Sequence, residues 1–185
     1  MGVALTEILI KKDIEIEDLS GKIMTVDAPL WLYQFLSSIR QRDGALLTDS
    51  KGNVTSHLVG ILSRVTNLID KNIKLAFVFD GKPPELKLQT LEKRKKIKID
   101  AQKQYEKAEE KGDIESMRKF AQRTSRLTPE MIEEAKLLLK ALGIPVIEAP
   151  SEAEAQASYV VKKGEAFSIA TNDADALLFG ATKIV

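Results

Sequence analysis

The apolar residues of this chain fall into two spacings that alternate along its length. Short apolar runs occur at 22–26, 73–79, 144–147 and 166–170, and each has the length of a strand. Between them the apolar positions recur at helical intervals. Leu58, Ile61, Leu62, Val65, Leu68 and Ile69 define one face of a helix running from about Thr55 to Asn72. Met131, Ala135, Leu138, Leu139 and Leu142 define another, with Thr128 as its N-cap, Pro129 in its first turn and Gly143 as its terminator. A helix also follows the first run, opening near Pro29 and reaching about Arg40. Strands that alternate with helices predict an α/β fold with a mainly parallel central sheet flanked by helices.

The remaining segments are shorter. Ile14-Glu15-Ile16 reads as a brief extended piece, and Asp18-Leu19-Ser20-Gly21 as a turn. Asp43-Gly44 and Asp49-Ser50-Lys51-Gly52-Asn53 carry turn chemistry around a hairpin at 45–47. Lys183-Ile184-Val185 starts a fifth strand.

One segment departs from the pattern. From Glu85 to Arg126 the chain is dominated by Lys, Arg and Glu, with a narrow apolar stripe at Ile97, Ala101, Tyr105 and Ala108 and a break at Gly112. A helical hairpin with little core behind it fits this composition. The segment is basic while the whole chain carries a formal charge of only +1, so charge is segregated along the sequence.

Composition narrows the chemistry. With 185 residues, 44% of them hydrophobic and 30% charged, the chain suits one globular domain. No cysteine is present, which excludes disulfides and thiolate zinc sites. The single histidine, His57, cannot build a histidine-based site and reads as a structural or capping residue at a helix start. No apolar run approaches the ~18 to 20 residues of a membrane span, and no signal-peptide core is evident. These features predict an intracellular protein with no membrane partner.

What remains is carboxylate chemistry. Asp27 follows the first strand run, Asp80 the second, Glu152 and Glu154 the third, and Asp173 and Asp175 the fourth. Capping explains each in isolation. Ser151 and Glu154 fit a capping box, and Asp173 fits an N-cap for a helix beginning near Ala174. Capping does not predict an acid after every strand, however, and in parallel sheets ligands bind beyond the strands' carboxyl ends. Clustered carboxylates ~4 Å apart repel by roughly 4 kcal/mol per pair at an effective dielectric near 20, so cations are expected among them. Oxygen-only donors point to Mg²⁺ or Mn²⁺, and six acids suit two ions, the arrangement used for in-line phosphodiester displacement. The bases of the charged segment would then hold a phosphate backbone.

Longer motifs sharpen the expectation. The sequence reads VDAxxxxYQFL at 26–36, TSHLxG at 55–60, VFDGKPPELK at 78–87, GIPVIEAPSEAEAQ at 143–156 and DxDxLLFG at 173–180. In these motifs it resembles the N-terminal portion of the flap endonucleases of archaeal and eukaryotic type, a family of structure-specific 5′-nucleases of DNA replication and repair. The resemblance implies a 5′-nuclease or PIN-like fold, with residues 1–185 an incomplete catalytic domain and 82–127 a helical arch or gateway inserted in it.

It also implies that Asp27, Asp80 and Glu152 serve mainly one metal, Asp173 and Asp175 mainly the other, and Glu154 lies near both. Lys87 and Arg94 would contact the scissile phosphate, Tyr33 would stack on a substrate base, and Gly2 would lie close to the site. The substrate implied is branched or flapped DNA, cut to leave a 5′-phosphate and a 3′-hydroxyl. The family continues past the equivalent of Val185 with a further acid, a helix-hairpin-helix and often a sliding-clamp motif, so a clamp partner is expected through a segment absent here. The compartment would be cytoplasmic in an archaeon and nuclear in a eukaryote. Two other readings are a related 5′-3′ exonuclease or compact RNA-cleaving nuclease, and a non-catalytic DNA-binding fragment.

Overall fold

A computed structural model describes residues 9–185 apart from 111, 114, 117, 118 and 121–125; within the charged helix, the side chains at 85, 86, 88–95, 98 and 109 are likewise left undescribed. The chain divides into two compact units. One holds the chain up to Ala28 with residues 64–82 and 139–185, and the other holds residues 29–63 and 83–138.

The first unit contains the sheet. Its strands are β1 (Ile23–Asp27), β2 (Lys74–Phe79), β3 (Val146–Glu148) and β4 (Ser168–Ile169), in the order β3-β2-β1-β4. All three pairings are parallel, with Asp27 opposite Val78, Phe79 opposite Glu148 and Thr25 opposite Ile169. Leu75 through Phe79 are all buried. An unbroken apolar run is what a parallel strand needs when both of its faces are covered.

The two later strands are shorter than their apolar runs, because only two or three residues of each find a ladder partner. Ile184 bridges in parallel to Ile169, so the expected fifth strand is present as a single bridge. The segment before β1 differs from expectation, since Ile16–Leu19 forms a 3-10 turn and Ile14-Glu15 adds no strand.

Helix α1 spans Ala28–Ser38 and α2 spans Ser56–Asp70. Ile61 and Val65 are buried on α2, whereas Leu62 and Ile69 are exposed. The apolar face is therefore narrower than the sequence spacing suggested; each exposed residue is next in sequence to one nearer the core, about 100° around the helix. Asn72 ends this segment at φ 60, the left-handed conformation that asparagine tolerates. The hairpin is confirmed by antiparallel bridges Arg40 to Leu46 and Thr48 to Val54.

The charged segment begins as α3, Glu85–Glu110, about 39 Å long at 1.5 Å per residue. Ala101 and Ala108 are buried, whereas Ile97 is 63% exposed. Gly112 breaks the helix at φ 64, and the expected second arm falls largely outside the described residues. Helix α4 (Pro129–Ala141) starts as expected, with the Thr128 hydroxyl accepting from the Met131 N–H at 3.3 Å. Its end is Gly143 at φ 73.

The sheet unit closes with α5 (Ala153–Lys162) and the single turn α6 (Asp175–Leu178). Ala153 and Ala157, both fully buried, belong to one core with Val78, Ile169, Val161 and Ala176. Two alanines on this face let the helix backbone approach the strand ends closely, which decides where the acids stand.

Candidate carboxylate site

Parallel pairing puts the carboxyl ends of all four strands at one edge of the sheet. Asp27 is the last residue of β1, and Asp80 directly follows β2. Glu152 is the N-cap residue of α5, four positions past β3, and Glu154 lies in its first turn. Asp173 lies four residues past β4, and Asp175 opens α6. All six acids thus belong to the sheet unit. Asp80 and Asp173 are exposed, and the other four are half-buried.

Hydrogen bonds fix several of these positions. The Asp80 carboxylate accepts from the Ala153 N–H at 2.7 Å, so an acid from the end of β2 satisfies a first-turn donor of α5. That bond corrects the expected capping box. The N-cap is Glu152, not Ser151, and it makes no side-chain capping bond; Asp80 instead serves the first N–H of the helix from the end of β2. The Gly81 N–H donates to the Ser151 carbonyl at 2.6 Å. A Cβ at Gly81 would collide with the Ala149 carbonyl and with Pro150, so the glycine is a requirement of this close approach.

The last acid pair has its own scaffold. The Thr171 hydroxyl accepts from the Asp173 N–H, and the Asp173 carboxylate accepts from the Asp175 N–H, both at 3.0 Å. Asp173 therefore forms a local turn, and the helix it was expected to cap starts one residue later with Ala174 as N-cap. Ser158, fully buried on α5, lies within hydrogen-bond distance of the Glu154 carbonyl (2.8 Å) and the Ala176 carbonyl (3.0 Å). One hydroxyl thereby connects the segments carrying the two acid pairs. Gly81 and Ser158 are not singled out by sequence reasoning. The signal for Gly81 is its place after a strand-end acid, whereas Ser158 resembles any serine on a helix.

The donor set suits a hard divalent cation, since every candidate ligand is a carboxylate oxygen. Among the described residues, no three acids or histidines stand close enough together to hold a metal.

The remaining candidates lie elsewhere. Tyr33 is 39% exposed on α1, and Lys87 is exposed on α3, both in the helical unit. Gly2 and the Arg94 side chain lie outside the described residues. His57 is fully buried in the helical unit, its Nε2 3.3 Å from Glu134 Oε2 without the alignment of a hydrogen bond. Burial pulls its pKa below the ordinary imidazole value, against the opposing pull of Glu134. It serves the core, as its isolation in the sequence suggested.

Two family models, which together match most of the chain, show that it belongs to the XPG family. Residues 1–101 match the XPG N-terminal domain and residues 143–185 match the XPG I-region. Flap endonuclease 1 of Thermofilum pendens is 51% identical over 187 residues, covering 100% of this chain and 54% of that protein.

Among solved structures, flap endonuclease-1 from Methanococcus jannaschii superposes with a TM-score of 0.74 at 44% identity, covering 100% of this chain and 58% of its own. The catalytic core of Rad2 in complex with DNA substrate gives 0.66 at 34% identity, over 94% of this chain and 46% of that one. The chain spans about half the length of the flap endonucleases it matches and corresponds to their N-terminal portion.

Proposed function

We propose that this chain is the catalytic portion of a 5′-flap endonuclease that hydrolyses a phosphodiester in branched DNA, leaving a 5′-phosphate and a 3′-hydroxyl. The observation that carries the reading is the alignment of Asp27, Asp80, Glu152, Glu154, Asp173 and Asp175 beyond the parallel strands. Family membership and relatives named flap endonuclease support it.

Asp27, Asp80 and Glu152 would have to draw together to hold mainly one divalent ion, Asp173 and Asp175 would hold mainly a second, and Glu154 would lie near both, with Mg²⁺ or Mn²⁺ as the metal. Such ions supply a hydroxide nucleophile at neutral pH and neutralise the developing charge on phosphate. The chain's own work is placement. Asp80 ties β2 to α5, Ser158 links α5 to α6, and the Asp173 turn presents Asp175. Lys87 and Arg94 would neutralise the scissile phosphate, Tyr33 would offer a ring for a base to stack on, and Gly2 would sit beside the acids. Residues 82–127 would form the arch over the 5′ strand. A sliding clamp is the proposed protein partner.

Cleavage of a labelled 5′-flap duplex by the full-length protein tests the reading. Activity should require added Mg²⁺ or Mn²⁺. Asp80→Asn keeps an oxygen to accept from Ala153 and should retain the fold, yet lower cleavage by about 100- to 1000-fold, the size of effect found on removing one preorganised charge-stabilising group. Full activity in Asp80→Asn, or in excess EDTA, would refute the assignment.

A further inference from the structure

The opposite edge of the same sheet carries a recess that the carboxylate chemistry leaves unused. Its volume is about 430 Å³, and Lys22, Lys183, Phe167, Glu165, Gly21 and Gly164 help to line it. Lys22 immediately precedes β1, Phe167 precedes β4, and Lys183 precedes the residue that bridges to β4. Three adjacent parallel segments therefore present Lys, Phe and Lys at their amino ends. β1 alone separates this edge from Asp27 by about 17 Å at 3.3 Å per residue.

Two ammonium groups share one ring here. Lys183 Nζ stands 4.5 Å from the Phe167 centroid, and Lys22 Nζ stands 5.3 Å from it. A ring quadrupole attracts each cation weakly at an exposed site, but the cations repel one another. Among the described residues, Glu165 is the one carboxylate lining the recess, so the lining keeps a positive excess. Nearby Lys163 is engaged separately, 5.0 Å over the Tyr159 ring.

The backbone indicates which anion fits. The N–H groups of Gly21, Lys22, Gly164, Glu165 and Phe167 already donate to carbonyls of the fold. A small oxyanion is usually captured by converging backbone N–H groups, and these are committed. What the recess offers is two ammoniums within about 10 Å of each other, by the distances each keeps from the shared ring. Phosphates recur every ~3.4 Å of axis along one DNA strand, so such a pair reaches neighbouring phosphates of a single backbone.

We infer that Lys22 and Lys183, spaced by Phe167, form a second contact for the phosphodiester backbone of nucleic acid, at the sheet edge opposite the acids. From the proposed function this takes only that the protein meets nucleic acid. Neither metal nor cleavage enters it.

The test is fluorescence anisotropy of the full-length protein with a labelled blunt 20-base-pair duplex, in excess EDTA and across a salt series. Relative to wild type, Lys22→Gln/Lys183→Gln should bind several-fold more weakly at low salt. The slope of log K against log salt should become shallower by roughly two, about one for each phosphate no longer neutralised. Each single Gln variant should show about half the slope change, and Lys22→Arg/Lys183→Arg should restore the wild-type slope.

An unchanged slope and affinity in the folded double Gln variant would overturn the inference. Because metal is chelated, a failed flap-cleavage assay leaves this result standing, and the reverse also holds.

Discussion

The sheet unit and the helical unit handle charge in opposite ways. In the sheet unit, acids stand at strand ends and are built into the backbone: Asp80 bonds the first turn of α5, and Asp173 bonds the N–H of Asp175. In the helical unit, α3 carries a dense run of lysines, with Ala101 and Ala108 buried and Ile97 left in solvent. The first arrangement fixes groups before any ligand arrives, as positioned chemistry demands. The second leaves Lys87, Lys96, Lys103 and Lys107 exposed on long stems, which suits backbone attraction without base readout.

The contrast breaks most sharply at Gly81. Gly81→Ala would drive a methyl group into the Ala149 carbonyl, and overpacking of this kind costs about 1–3 kcal/mol. Thermal denaturation should report that loss, accompanied by reduced flap cleavage, because the Asp80 end of β2 would be pushed from α5. On α3 a substitution should matter only along the thin buried stripe. Ala101→Glu buries a charge and should cost about 1–3 kcal/mol, whereas Ile97→Glu should stay within about 0.5 kcal/mol. Urea denaturation of the two variants checks this, and equal losses would show that α3 packs on a broader face.

The buried imidazole of the helical unit gives a smaller effect. His57 is held neutral by burial, with its pKa below that of the unfolded chain. As pH falls below about 6.5 the unfolded state takes up a proton before the folded state does, so stability falls with pH there. His57→Gln should flatten that part of the stability profile, as read from melting temperature between pH 5 and 7.

Much of this was legible in the sequence. The four strand runs, the acids after them and the caps at Thr128 and Gly143 all follow from periodicity and local turn chemistry, and each is present. What the sequence hid was contact between distant segments. Ser151 and Glu154 have the spacing of a capping box, but the Ala153 donor is served by Asp80, 73 residues away. Ser158 joins Ala176 across a gap that no local pattern encodes. Likewise Leu62 and Ile69 have the right period for a core face and still lie exposed, because the period fixes a stripe's direction and the neighbouring elements set its width. The acids were legible as strand-end residues; the hydrogen bonds that hold them were not.

If the acids divide into two metal-holding groups, removing charge from one group should spare the other. Calorimetric titration of Mn²⁺ into the full-length protein, beside Asp80→Asn and Asp173→Asn/Asp175→Asn, measures this division. Two binding events are expected in the parent, with a different one weakened by at least about tenfold in each variant, the lower end of what disturbing a metal's surroundings costs. Identical isotherms for all three proteins would contradict the division.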